Sequence, residues 1–274
     1  MARFPARLHV LLASRAERGL VIRRGPSGQV ATILWDRRKD RFELGQWLKG
    51  RIYERRCDLS PEGTHLIYFA MNGHWQSEGR GAWTAISRAP YLKALCFFPK
   101  GDCWHGGGLF TGKRTYWLND GYGHEVKRDT KEVVRDRTYR PSPTFGGECP
   151  GVYYHRLIRD GWTYVTHDKR EQWKSVDVFE KRLPYGWLLR KIAHAEVGAP
   201  PGKGCYWDEH ELVDPAGALT AQPDWEWADL DDTRLVFAQD GKLHASAISS
   251  GGLAAPRALF DFNPLKFEAR VAPY

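Results

Sequence analysis

Asp208-Glu-His-Glu211 gathers three carboxylates and an imidazole into four consecutive residues, directly after Cys205-Tyr-Trp207. In a strand, alternate side chains share a face, so Asp208 and His210 would point one way and Glu209 and Glu211 the other. One face then offers a carboxylate beside an imidazole, the beginning of an acid–base pair or of a metal site. A metal site ordinarily needs a third ligand and the sequence names none, so neither a metal nor a cofactor is expected. A structural histidine held by a neighbouring carboxylate is the competing reading. His105, just ahead of Gly106-Gly-Gly108, and His155 are further imidazoles that loops distant in sequence would have to bring to such a site. The three glycines would let a backbone pass close to a ligand, yet no phosphate-binding Gly-x-Gly-x-x-Gly or Lys-Ser/Thr pattern accompanies them. Ser60 lies in a Ser-Pro-Glu-Gly turn, outside any Gly-x-Ser-x-Gly elbow, so nucleophilic serine chemistry is not indicated.

Positive charge is the second chemical feature. Residues 1–60 hold 14 Lys and Arg against 6 Asp and Glu, which is the whole of the formal excess of +8. Its densest run is Arg37-Arg-Lys-Asp-Arg41, with Arg23, Arg24, Lys49, Arg51, Arg55 and Arg56 nearby in sequence. Arg37, Arg38, Lys39 and Arg41 are therefore the candidate contacts for an acidic protein or for the phosphates of a nucleic acid. The same run is compatible with an ordinary solvated turn between two strands. No recognition-helix, zinc-finger or RNA-binding aromatic signature points specifically to nucleic acid.

The elements that must position these residues read as strands. Twelve each of Trp, Tyr and Phe fit pleated, half-buried surfaces, and 28 Gly with 16 Pro are spread along the chain as turn punctuation. Alternation marks about twenty short strands, among them 8–13, 51–57, 151–158, 205–213 and 266–271, with no long helical window. Turn chemistry sits at Gly25-Pro-Ser-Gly28, Ser60-Pro-Glu-Gly63, Pro99-Lys-Gly101, Arg159-Asp-Gly161 and Gln239-Asp-Gly241. Trp225-Glu-Trp227 would place two rings on one face, for packing or for stacking on a base or sugar. The segment 119–148 departs from the pattern as an irregular loop or a poorly marked sheet.

Five cysteines, at 57, 96, 103, 149 and 205, form no Cys-x-x-Cys pair and leave an odd one over. Buried thiols in a reducing compartment are expected, with a Cys96–Cys103 bridge as the alternative. Leu8-His-Val-Leu-Leu-Ala13 contains a histidine and runs at once into Arg15, Glu17 and Arg18, so it reads as a first strand rather than a leader. No apolar stretch approaches the roughly 20 residues of a membrane span. The expectation is a cytoplasmic chain without membrane contact.

Two segments echo each other: Asp58-Leu-Ser-Pro-Glu-Gly-Thr-His-Leu-Ile-Tyr-Phe-Ala70 and Asp229-Leu-Asp-Asp-Thr-Arg-Leu-Val-Phe-Ala238. The first resembles the Ser-Pro-Asp-Gly hairpin unit of the TolB-type, WD-repeat-like β-propellers. That resemblance implies an all-β chain folded over 1–274 as a single β-propeller of five or six four-stranded blades. It also implies a non-catalytic interaction module that binds a protein partner through rim loops and the basic N-terminal blade. An enzyme with a metal or acid–base site in the central channel, and a nucleic-acid-binding subunit, are the alternatives. The strand 266–271 would pair with an N-terminal strand and close the ring.

Overall fold

A computed structural model describes residues 4–25, 28–121, 123–172, 174–199 and 204–274. The Gly25–Gly28 turn therefore lies partly outside the described residues. Strand occupies 49% of the chain and helix 8%, so the protein is all-β, built from several antiparallel sheets of which none is closed.

The sheets follow one another along the chain. The first is a four-stranded meander of β1 (Arg7–Leu12), β2 (Arg18–Arg24), β3 (Gln29–Asp36) and β4 (Arg41–Lys49). The second holds β5 (Arg51–Ile52), β6 (Asp58–Leu59), β7 (His65–Met71), β8 (Ala82–Arg88) and β9 (Ala94–Pro99), with β5 and β6 both on β7. The strand expected over 51–57 is thus broken, because Glu54–Arg56 forms a 3-10 turn that buries Glu54 and Arg56. The third sheet comprises β10 (Gly108–Phe110), β11 (Thr115–Leu118) and the short parallel β12 (Val134–Arg135), the only strand within the irregular 119–148 segment among the described residues. The fourth runs in order through β13 (Thr163–Glu171), β14 (Lys174–Arg182), β15 (Leu188–Glu196), β16 (Tyr206–Val213) and β17 (Leu219–Gln222). The fifth is built on β18 (Trp227–Asp231), β19 (Arg234–Gln239) and β20 (Lys242–Ser249), with β21 (Gly252–Leu253) and β22 (Arg257–Asp261) pairing β20.

Two compact units result, one of residues 1–156 and 264–274, the other of residues 157–263. In the first unit each face of the second sheet has its own core. Leu66, Tyr68 and Ala70 join Leu20, Ile22 and Val30 of the first sheet, whereas Ile67 and Ile86 join Phe110, Tyr116 and Leu118 of the third. Alternation along β7 therefore lets one strand serve two apolar layers. Buried polar hooks fix the spacing: Asp58 accepts from the Phe110 N–H at 2.7 Å, and Thr84 Oγ1 accepts from the Gly107 N–H at 2.8 Å.

Two further expectations are corrected. Residues 151–158 are helical, within α1 (Cys149–Arg159). Val152-Tyr-Tyr154 carries strand-favouring side chains, but Pro150 suits a first helical turn and Cys149, Val152, Tyr153, Arg156 and Leu157 are buried at helical spacing. Residues 266–271 form no strand. They return to the first sheet through side chains instead: Gln46 Nε2 donates to the Arg270 carbonyl at 2.7 Å, and the Arg270 guanidinium donates to the Leu44 carbonyl at 2.8 Å. The Phe267 ring lies 6.1 Å from that of Trp47.

Candidate functional site

In the second unit, β16 orients its side chains as alternation predicts: Asp208 and His210 are buried, Glu209 is exposed and Glu211 is half-buried. His210 Nε2 lies 2.9 Å from Lys191 Nζ, and its Nδ1 lies 3.1 Å from the Trp225 carbonyl. An ammonium has no acceptor lone pair, so Nε2 accepts, Nδ1 donates and the ring is neutral. The Lys191 ammonium is 1% exposed, 3.8 Å from Asp208 Oδ2 and 4.8 Å from the centre of the Trp162 ring. A lysine and a carbonyl thus hold His210, and the Asp208 carboxylate stands 3.8 Å from that lysine. Both ring nitrogens are occupied. Trp225 and Trp227 are buried, and Trp225 stacks on Phe237 at 4.1 Å, so these rings pack.

On the same face of the fourth sheet, Asp177 receives the Tyr164 hydroxyl and His167 Nδ1, each at 2.9 Å. Burial, reinforced by the Asp177 carboxylate, pushes the Tyr164 hydroxyl up to about 12. A cavity of ≈ 280 Å³ is lined by His167, Lys169, Ser175, Cys205 and Tyr206, among others. Its Lys174 is tied to Glu196 at 3.2 Å and to Glu171 at 3.6 Å, so these lining charges compensate one another. Among the described residues no group of three or more His, Cys, Asp or Glu is placed to hold a metal ion.

His105 and His155 belong to the first unit, and each has its own contacts. His105 Nδ1 is 3.4 Å from Asn119 Oδ1, and its carbonyl accepts from Arg56. His155 Nε2 is 3.0 Å from the Ser142 carbonyl. Burial holds His155 below the ordinary imidazole range against the opposing pull of that bond. The glycine run beside His105 approaches protein: a Cβ on Gly107, whose φ is +77°, would stand 2.0 Å from the Arg56 carbonyl. Arg56 itself is buried, donating to the Cys149 sulfur at 3.3 Å, the Cys103 carbonyl at 2.6 Å and Glu148 at 3.2 Å.

The Arg37–Arg41 run forms the β3–β4 turn. Asp36 caps it by accepting from the Arg38 and Lys39 N–H groups at 3.1 and 3.2 Å, and Arg37 donates to the Ala16 carbonyl at 3.1 Å. Arg38, Lys39 and Arg41 are exposed. Asp36 and Asp40 interleave with these cations.

A denser cluster lies elsewhere in the same unit. Arg24 meets Glu54 at 3.0 Å and Arg55 meets the same carboxylate at 3.6 Å, with Glu54 only 5% exposed. Arg7 faces Arg24 directly across the β1–β2 pair. The Arg51 guanidinium lies over the Tyr53 ring at 4.5 Å and that of Arg55 over Tyr153 at 5.4 Å. Burial alone would raise Glu54; Arg24, Arg55, a backbone N–H and Arg51 together hold it below the ordinary carboxylate range. Glu54 in turn raises Arg24, but burial and repulsion from Arg51, Arg55 and Arg7 outweigh it and leave Arg24 lowered. The charge excess of the first 60 residues was the sequence signal for this cluster. No contiguous run marks it, because Arg7, Arg24, Arg51 and Arg55 come from four separate elements.

No family model matches the chain, and no curated protein matches it either.

Proposed function

We propose that the chain is a non-catalytic interaction module of β-propeller type, akin to the TolB-type and WD-repeat-like propellers, that holds an acidic protein partner on the basic surface of its first unit. The observation that carries this reading is the convergence of Arg24, Arg51 and Arg55 on one buried carboxylate, Glu54, with Arg7 directly opposite Arg24. Like charges placed face to face cost stability, and a surface that accepts this cost suits an anionic partner. The propeller part is supported by five successive sheets, by the layering of the first three, and by a shared hairpin register. Asp58 and Leu59 stand opposite Ile67 and Leu66, as Asp229 and Leu230 stand opposite Val236 and Leu235. Five sheets correspond to five blades in this reading.

Acid–base or metal chemistry at Asp208 and His210 is disfavoured by Lys191 and Trp225, which engage both nitrogens of the imidazole. The Arg37–Arg41 turn is a secondary contact at most, given its interleaved Asp36 and Asp40. The test is purification at native expression level, with and without nuclease, and identification of co-eluting material by mass spectrometry. A stoichiometric protein that survives nuclease and is lost in the Arg51→Glu, Arg55→Glu double variant is the expected result. Co-elution only of nucleic acid, removed by nuclease, would favour the polyanion alternative. Retention in that double variant with loss when Arg37, Arg38, Lys39 and Arg41 become Glu would move the contact to the turn.

A further inference from the structure

The arginine cluster has a chemistry more specific than positive charge. Arg7 and Arg24 are cross-strand partners, an arrangement that is unfavourable for like charges. Arg51 opens β5, and Arg55 sits in the 3-10 turn two residues beyond Tyr53. Four elements therefore bring arginines around Arg24: Arg24 and Arg55 pair with Glu54, Arg7 lies opposite Arg24, and Arg7, Arg51 and Arg55 all repel Arg24. The Arg51 guanidinium stands 4.5 Å over the Tyr53 ring, and an aromatic face takes up no N–H edge that an oxygen acceptor would need. Glu54 Oε1 takes the two ion pairs, while its Oε2 is buried and has no hydrogen-bond donor among the described residues.

This combination suits a small tetrahedral oxyanion with two negative charges. Its several oxygens can accept from more than one guanidinium at once, and its charge offsets more of the local repulsion than a diester or a single carboxylate can. We propose that Arg24, Arg51 and Arg55 beside Glu54, with Arg7 opposite Arg24, form a binding site for a phosphate monoester. This deepens the reading of the basic face as the partner-contact surface and rests on it. The monoester can be carried by a phosphorylated protein segment or by a small metabolite, since the recognised group is the same.

The experiment is calorimetric titration of the full chain with phenyl phosphate, with dimethyl phosphate as the diester control and sodium chloride at matched ionic strength as the screening control. Saturable binding of phenyl phosphate is expected, weaker by about tenfold or more for the diester, and lost by a similar factor in Arg51→Gln. Arg51 is exposed, so this variant retains the fold, and unchanged binding in Arg41→Gln shows that the effect is local. Heat that sodium chloride reproduces, or phenyl phosphate binding that persists undiminished in Arg51→Gln and in Arg24→Gln, overturns the site. A phosphoserine peptide that binds more tightly than phenyl phosphate assigns the monoester to a protein; equal binding assigns it to a free ligand. A protein partner that depends on Arg51 and Arg55, together with no phenyl phosphate binding, overturns the phosphate class and leaves the module standing. Phenyl phosphate binding with no protein partner keeps the site and overturns the module.

Discussion

A lysine ammonium enclosed by a tryptophan ring and an imidazole is tolerated only while its acceptors stay in place. Replacing His210 by Ala takes from the buried Lys191 ammonium its 2.9 Å acceptor, and such a loss costs about 1–3 kcal/mol. Lys191→Met should cost more, about 3–5 kcal/mol, because it removes the ammonium that stands 3.8 Å from the buried Asp208 carboxylate. Chemical denaturation of both variants checks the ordering; equal stability of His210→Ala and the parent chain would show that the contact carries no load. The facing of Asp208 and His210 was legible from strand alternation, whereas Lys191 and Trp225 stand 19 and 15 positions away and no local pattern announces them. The cysteines separate in the same manner. Cys57, Cys96 and Cys149 are buried, and Cys103 and Cys205 are exposed; no disulfide forms among the five. Burial raises the Cys57 and Cys149 thiols and, helped by Asp129, pushes Cys96 up to about 12. Thiolate is the reactive form, so titration with a chromogenic disulfide at pH 8 should label two thiols rapidly and the other three only on unfolding.

At the scale of elements, the C-terminal segment acts as a strap on the first unit without becoming a strand. The Tyr274 hydroxyl accepts from the Arg88 N–H at 3.0 Å and donates to the Lys93 carbonyl at 2.7 Å, and the Arg88 guanidinium lies 4.8 Å over its ring. Tyr274→Phe should cost about 1–2 kcal/mol through the two lost bonds, seen as a fall in thermal midpoint of about 2–6 °C. Ending the chain at Asn263 goes further, because it uncovers Leu44, Gln46 and Trp47 on β4, the last strand of the first sheet. Exposed edges pair with other chains, so concentration-dependent self-association in gel filtration is expected of the shortened chain, and a monodisperse elution would count against the strap. The sequence anticipated that this segment returns towards the N-terminus, since Leu265-Lys-Phe-Glu-Ala-Arg-Val271 alternates. It could not show that side chains, and not a backbone ladder, make the junction. Helix α1 escaped for a related reason: eleven residues with adjacent Val152, Tyr153 and Tyr154 look like a strand until tertiary burial selects the helical face. The arginine cluster needed the fold to be seen at all, because Arg7 and Arg51 each meet Arg24 from a different element.

At the scale of the whole molecule, the fold keeps several imidazoles neutral, and this sets its behaviour in acid. Burial, aided by Lys100 and opposed by Asp120 and Asp102, holds His124 down at about 4. Burial likewise lowers His65 against the pull of Glu132, and lowers His155 and His244. For each, the unfolded chain binds a proton near pH 6.5 while the folded chain resists it, so the unfolded state holds more protons between those two values. Stability therefore falls as pH drops from about 6.5 towards 4, with His124 contributing on the order of 2 kcal/mol after allowance for solvent at its half-buried ring. The lowered carboxylates act in a lower window. Glu54, in which the nearby arginines outweigh burial, stabilises the fold above its unfolded pKa near 4.5 and loses that contribution only as pH falls through its depressed folded value. The histidine and carboxylate limbs are thus separable. His124→Leu should flatten the dependence of the unfolding midpoint on pH between about 6.5 and 4.5 while leaving the steeper decline below that range. A variant whose profile matches the parent chain throughout the upper window would show that His124 does not carry the first limb of acid destabilisation.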